Sequence, residues 1–205
     1  PVKPMLAQMA EDLKEVFKEH GGRTALEYKL DGARIQIHLS NGEVRIFSRR
    51  LTDVTKSLPE IVDLVCSEVK AKEAILEGEV IAVDNDGKPM PFQHLMRRFK
   101  RIHEVGEIAE NIPVELYLFD LLYADGKSMI KTPYIERLNM LTKIAGNIPL
   151  TKQIVTSDVG EAELFLKSAI SEGHEGLMAK RLDSPYTPGV RGKHWFKIKP
   201  VLAPL

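Results

Sequence analysis

Lys29 stands in the stretch Glu27-Tyr28-Lys29-Leu30-Asp31-Gly32-Ala33-Arg34. A lysine just before an Asp-Gly pair is a candidate nucleophile. Lysine attacks a phosphorus only as the neutral amine, and the ordinary pKa of its side chain is about 10.4. Freeing that proton at pH 7 costs roughly 4–5 kcal/mol, at about 1.4 kcal/mol per pKa unit. Burial and neighbouring cations lower the cost by disfavouring the ammonium. Lys197 and Lys199 are the cations the sequence offers for that purpose. As flexible point charges they also suit a phosphate whose negative charge grows in a transition state. The plain alternative is an exposed lysine beside a turn.

Positioning such a group needs rigid elements, and the hydrophobic periodicity supplies them. Residues 8–20 read as an amphipathic helix closed by Gly21-Gly22. Strand-like runs follow at 25–30, 33–39 and 44–48. Asn41-Gly42 joins the second to the third, because both turn positions tolerate positive φ. Residues 58–69 return to helical spacing, with Ile61, Leu64, Val65 and Val69 on one stripe and Cys66 placed in or near the core. A strand over 74–83 leads to Asp84-Asn85-Asp86-Gly87. That run invites a calcium-loop reading, but the later ligands of an EF-hand are missing and a hairpin turn is preferred. A very basic helix is predicted over 92–103, a strand over 114–122, helices over 134–145 and 161–172, and late strands over 177–181 and 195–199. Antiparallel hairpins with helices packed outside define an α+β class.

Strand alternation then sorts residues by face. Leu26, Tyr28 and Leu30 share one face of their strand, while Glu27 and Lys29 share the other. Phe196 and Ile198 oppose Lys197 and Lys199, and Glu77 and Glu79 oppose Leu76 and Val80. A half-solvated sheet would give the same pattern in any single strand.

Composition narrows the classes. The 205 residues are 43% hydrophobic, enough for a packed core in one unit without repeats or low-complexity tracts. Lys and Arg total 29 and Asp and Glu total 29, so no global basic field announces a nucleic-acid binder. Local patches must serve instead. Arg97-Arg98-Phe99-Lys100-Arg101 is the best candidate for DNA backbone contact, with a solvated helix face as the alternative. One cysteine excludes an intramolecular disulfide, and no apolar run is long enough for a membrane span, which together suggest a soluble, intracellular chain. There is no P-loop sequence and no zinc-ligand spacing. The ends at Pro1 and Leu205 read as cut, so an excised domain of a longer protein is expected.

Six motifs occur in order: Lys29-x-Asp31-Gly32-x-Arg34, Ser48-Arg49-Arg50, Glu77-Gly78-Glu79, Tyr117-Leu118-Phe119-Asp120, Glu175-Gly176-Leu177-Met178-Ala179-Lys180, and Lys197-Ile198-Lys199. Together they resemble the adenylation domain of ATP-dependent DNA ligases, in the covalent nucleotidyltransferase superfamily. The resemblance runs from Lys3-Pro4-Met5-Leu6-Ala7 to Pro200, and Pro91-Phe92-Gln93-His94-Leu95 and Arg181-Leu182-Asp183 look most like archaeal ligases and their eukaryotic relatives.

The resemblance implies an ATP-grasp-like nucleotidyltransferase fold spanning 1–205, with an N-terminal DNA-binding domain and a C-terminal OB-fold in the parent protein. It implies that Lys29 takes AMP from ATP as a covalent adduct, with Lys197 and Lys199 also catalytic. AMP then passes to a 5′-phosphate at a nick in duplex DNA and is displaced by the 3′-hydroxyl, in replication, repair and recombination. Glu27 matches the acceptor for the adenine amino group, and Phe119 the ring stacking on adenine, though it also suits a plain core. Arg34 and Arg49 match contacts to ribose and phosphate, and Arg191 a further nucleotide contact. Glu79 and Glu175 match acidic residues tied to ribose and Mg²⁺. A monomer working on nicked DNA, with a sliding clamp as a further partner of the parent, is implied; so is a nucleoid-associated cytoplasmic location in archaea or a nuclear one in eukaryotes. A capping guanylyltransferase or RNA ligase would share the lysine chemistry. A module that binds nucleotide and seals little is the alternative for this fragment.

Overall fold

The computed structural model describes residues 1–100 and 112–200. Its ten strands form two five-stranded sheets. The first has the order β1 (Leu6–Met9), β10 (Arg191–Ile198), β9 (Gly176–Lys180), β2 (Thr24–Lys29), β8 (Gln153–Thr156). The second has the order β4 (Glu43–Ser48), β3 (Ala33–Ser40), β5 (Glu73–Ala82), β6 (Val114–Ala124), β7 (Lys127–Ser128). All pairings are antiparallel except β1 with β10. The α+β expectation holds.

Each sheet has one apolar face covered by helices. Alternation along β3 sends Ile35, Ile37 and Leu39 into a core with Ile61 and Val65 of α2 (Pro59–Glu68) and Leu141 of α4 (Tyr134–Ile144). Leu26 and Tyr28 of β2, with Phe196 and Ile198 of β10, bury Val16 and Phe17 of α1 (Leu13–Glu19) and Phe165 of α5 (Val159–Ser171). Each such side chain, fully buried, contributes about 1.5–3 kcal/mol from apolar area. The other faces of the two sheets turn toward each other. A small third cluster of Met5, Ala7, Phe119, Leu122, Tyr186 and Trp195 closes one end of the space between them.

Several local expectations change. Residues 8–20 are not one helix: β1 occupies Leu6–Met9, and α1 starts at Leu13 because the Asp12 carboxylate accepts the Glu15 N–H at 2.8 Å. Cys66 is exposed rather than in the core, since α2 turns Ile61 and Val65 inward. α3 (Phe92–Lys100) covers the start of the basic helix, and the rest of that prediction, Arg101 included, lies outside the described residues. The strands β1 and β8 escape a periodicity reading because four residues are too few to establish a period.

The turns follow their residues. Asn41 and Gly42 hold φ of 49° and 86°, as the β3–β4 hairpin requires. Asp84 closes its own turn, its carboxylate accepting N–H groups of Asp86 and Lys88, both at 2.9 Å. That bonding bears out the hairpin over the calcium loop.

A buried bidentate pair ties the layers. The Arg137 guanidinium on α4 donates to both oxygens of Asp120 on β6, at 2.8 and 3.2 Å, and to the carbonyls of Thr132 and Ser184. Both side chains are fully buried, so each depends on the other for charge compensation.

Candidate active site

The strand register collects the site. Across the first sheet, Ala25 pairs with Lys180, Glu27 with Met178, Trp195 with Lys180 and Lys197 with Met178. Directly paired residues share a face, so Glu27, Lys29, Met178, Lys180, Trp195 and Lys197 all line one surface. On the second sheet Arg34 pairs with Glu79. These two surfaces enclose a cleft of about 820 Å³, a volume suited to a nucleotide-sized ligand.

Phe119 reaches the cleft through a β-bulge. Glu77 pairs with Asp120 but Gly78 pairs with Leu118, which leaves Phe119 as the extra residue of β6. A bulge re-aims a side chain and reverses the facing of the residues beyond it. Leu118 and Leu121 thus enter the same core while Phe119 faces the cleft.

Lys29 closes β2, and its Nζ pairs directly with the Glu175 carboxylate. The backbone repeats that link, with the Glu175 N–H donating to the Lys29 carbonyl at 3.0 Å. Lys29 thus has a carboxylate partner, and its positive charge also acts on Lys197. The Lys197 amine lies below the ordinary lysine range, through burial first and then the positive charges of Arg191, Lys29, Arg49 and Lys199. Such a cluster disfavours one more cation and favours an anion.

Gly32 is required by a close approach and not by the turn alone. A Cβ there would collide with the Val80 carbonyl oxygen of β5. Asp31 accepts the Phe92 N–H at 3.2 Å, so the turn after Lys29 also holds the start of α3. Phe92, Met96 and Phe99 of that helix line the cleft mouth.

The acidic residues differ in kind. Glu79 is half-buried beside Arg34 and Lys29, and burial pushes its carboxyl up to about 8, with Glu175 adding to the rise. Glu77 is buried and bonded to Arg34 at 2.9 Å and to the Tyr186 hydroxyl. Arg34 also donates to the Met5 carbonyl at 2.6 Å and to the Tyr186 hydroxyl at 3.2 Å, so much of its donor capacity is structural. Glu27 is 3% exposed and pairs with Lys180, with longer contacts from the Tyr134 hydroxyl and Gln153 amide, both 3.3 Å.

Of the residues singled out from sequence, Glu27, Lys29, Arg34, Arg49, Glu79, Phe119, Glu175 and Lys197 converge on this cleft. Lys199 and Arg191 do not line it. Lys199 is exposed beyond the end of β10, and the Arg191 guanidinium donates to the Ala7 carbonyl at 2.6 Å. Among the basic-helix residues, Arg97 is exposed, but Arg98 is fully buried against Glu60 and unavailable to DNA. Lys180 and Trp195 sit deep in the cleft, although no role for either is legible in the motifs. Both lie on the sheet face that carries Glu27, Lys29 and Lys197, but neither residue type announces such a role alone.

Comparisons with known proteins agree with this architecture. The family model described as ATP dependent DNA ligase domain matches residues 4–199. The chain is 51% identical to a DNA ligase of Thermococcus fumicolans and 48% identical to one of Archaeoglobus fulgidus, covering all of this chain and 37% of each relative. The chain thus spans little more than a third of the length of these curated relatives. Among solved structures, mycobacterial DNA ligase D complexed with ATP and MES superposes with a TM-score of 0.70 at 28% identity, over 97% of this chain and 60% of that one. Chlorella virus DNA ligase-adenylate shares the fold at a TM-score of 0.64 and 18% identity, over 96% of this chain and 68% of that one. From residue 4 to residue 199, the chain belongs to the ATP-dependent DNA ligase domain family.

Proposed function

We propose that this chain is the adenylation domain of an ATP-dependent DNA ligase, with Lys29 as the nucleophile that accepts AMP. The observation carrying this reading is the seat of Lys29. It ends a strand at the cleft wall, hydrogen-bonded to Glu175 and on the same sheet surface as Lys197.

The lone pair of Lys29 Nζ attacks the α-phosphorus of ATP. That lone pair is freed when the ammonium gives a proton to Glu175, its existing hydrogen-bond partner; an N–P bond then forms, the P–O bond to pyrophosphate breaks, and the second amine proton leaves to solvent with the pyrophosphate. Lys197 offsets the charge that grows on the α-phosphate, where a fixed cation needs no reorganisation. Arg49 at the cleft mouth adds positive charge, and Arg34 holds the ribose side of the cleft. Phe119 stacks on the adenine, and Glu27 accepts its amino group. Lys199 and Arg191, outside the cleft lining, would serve from its rim.

The donor set fits Mg²⁺. Glu79 and Glu175 face the same cleft, and no group of three or more His, Cys, Asp or Glu able to cage a metal occurs among the described residues. Two carboxylates suit an ion that keeps waters and takes its other oxygens from substrate phosphates. When bound, the ion supplies neutralisation of phosphate charge.

In the longer protein, AMP would pass to the 5′-phosphate of a nick in duplex DNA, with flanking DNA-binding and OB-fold domains supplying the grip. The modest share of each relative that this chain covers supports that division. The chain alone therefore binds adenine nucleotide but reacts slowly with ATP and seals nicks poorly. Monomeric action and a clamp partner belong to the same reading, as does a cytoplasmic, nucleoid-associated location in an archaeal cell. Among the described residues no helix is long and apolar enough to cross a membrane. Incubation with α-³²P-ATP and Mg²⁺ should label the chain and raise its intact mass by one AMP. Label persisting on Lys29→Ala would refute the assignment.

A further inference from the structure

We infer that Lys180 is a specificity-determining residue that makes the cleft read a 6-amino purine, acting through Glu27. The inference rests on the adenylation reading above and deepens it.

Lys180 is a cation in a place where cations are costly. It is 1% exposed at the end of β9, and its ammonium lies 4.3 Å from the ring centroids of both Phe119 and Trp195 and 5.4 Å from that of Tyr134. Three aromatic faces surround it, and its ion-pair partner is the Glu27 carboxylate. Desolvation of this kind is offset only when the partner is fixed and ionised. The ion pair therefore constrains Glu27 as well. One of its oxygens is pinned by Lys180, and the other receives only the two 3.3 Å contacts from Tyr134 and Gln153. That second oxygen retains capacity for a further donor.

The chemical consequence is selective. A carboxylate held ionised is an acceptor only. A 6-amino purine presents two N–H donors at that edge, whereas a 6-oxo purine presents an acceptor and faces repulsion. Lys180 also touches Phe119, the ring that stacks on the base, so one side chain fixes both the stacking surface and the edge reader. Without Lys180, the Glu27 carboxylate loses the partner that pins it and is free to turn toward the Tyr134 hydroxyl and the Gln153 amide. With its acceptor edge no longer fixed toward the base, a 6-oxo purine meets less repulsion and discrimination falls.

The test compares ATP with inosine triphosphate, which differs at the 6-position, as substrates for covalent labelling. The proteins are the parent chain, Lys180→Met, Lys180→Arg and the double variant Glu27→Gln with Lys180→Met. Far-ultraviolet circular dichroism and thermal melting establish that each is folded. The parent prefers ATP, Lys180→Met loses that preference by about tenfold or more, and Lys180→Arg retains most of it. The double variant, whose amide can donate to a 6-oxo group and leaves no buried charge, labels from both nucleotides and serves if Lys180→Met does not fold. An unchanged preference in a folded Lys180→Met, or in the double variant, overturns the inference while parent labelling from ATP leaves the adenylation reading standing. Failure of the parent to label from any nucleotide removes both.

Discussion

Glu79 is an acid held at about 8 by burial, against an ordinary value of 4.5. At about 1.4 kcal/mol for each pH unit between those values, the charged form is penalised in the folded state by up to about 5 kcal/mol. Glu79 is half-buried, and relaxation and water penetration lower that ceiling to roughly 2–3 kcal/mol. Because the folded-state value of this acid lies above its ordinary one, its contribution to stability is complete below about pH 4.5. That contribution is lost as the pH rises through 8. Glu79→Gln replaces the protonated acid by a neutral group of the same shape. Urea unfolding of parent and variant at pH 5, 7 and 9 should show near-equal stability at pH 5 and an advantage of about 2–3 kcal/mol for the variant at pH 9. Mg²⁺ requires the carboxylate, so binding of Mg²⁺ with nucleotide at pH 7 should release close to one proton. Calorimetry in buffers of different ionisation enthalpy reads that number, and Glu79→Gln should reduce it. Parallel stability profiles for the two proteins across pH 5–9 would refute the reasoning.

Phe119→Leu keeps most of the apolar volume of a residue that is 8% exposed but removes its ring face. Adenine nucleotide affinity measured by calorimetry should fall by about tenfold, since base–aromatic stacking contributes about 1–3 kcal/mol, while the melting temperature changes little. The two neighbouring arginines of α3 should separate cleanly. Arg98→Ala leaves Glu60 without its buried partner and should destabilise the fold by about 3 kcal/mol in urea unfolding, without a specific effect on DNA affinity. Arg97→Ala, on the exposed side, should leave stability unchanged and lower the salt dependence of duplex-DNA binding by about one phosphate contact.

Much of the site was written along the chain because its elements are short strands with a period of two. Glu27 and Lys29 share a face by local geometry alone, Lys197 stands opposite Phe196 and Ile198 for the same reason, and the motif order attached chemistry to those positions. The Asn41-Gly42 hairpin was legible for the same reason: φ preference belongs to the residue itself. What lay beyond reach depends on partners distant in sequence. The bulge that turns Phe119 into the cleft exists only in the pairing of β6 with β5. Gly32 is demanded by a carbonyl of Val80, some fifty residues away. The basic run looked uniform, yet helix rotation buried Arg98 against Glu60 and left Arg97 in solvent. The pairing of Lys29 with the Glu175 carboxylate joins residues 146 apart in sequence and comes from the fold. Lys180 closed a motif without a role until three rings and Glu27 gathered around its ammonium. Local backbone preference and strand parity are properties of a segment. Which charge meets which is settled by tertiary packing, because an ion is stabilised by whatever the fold brings within a few ångströms of it.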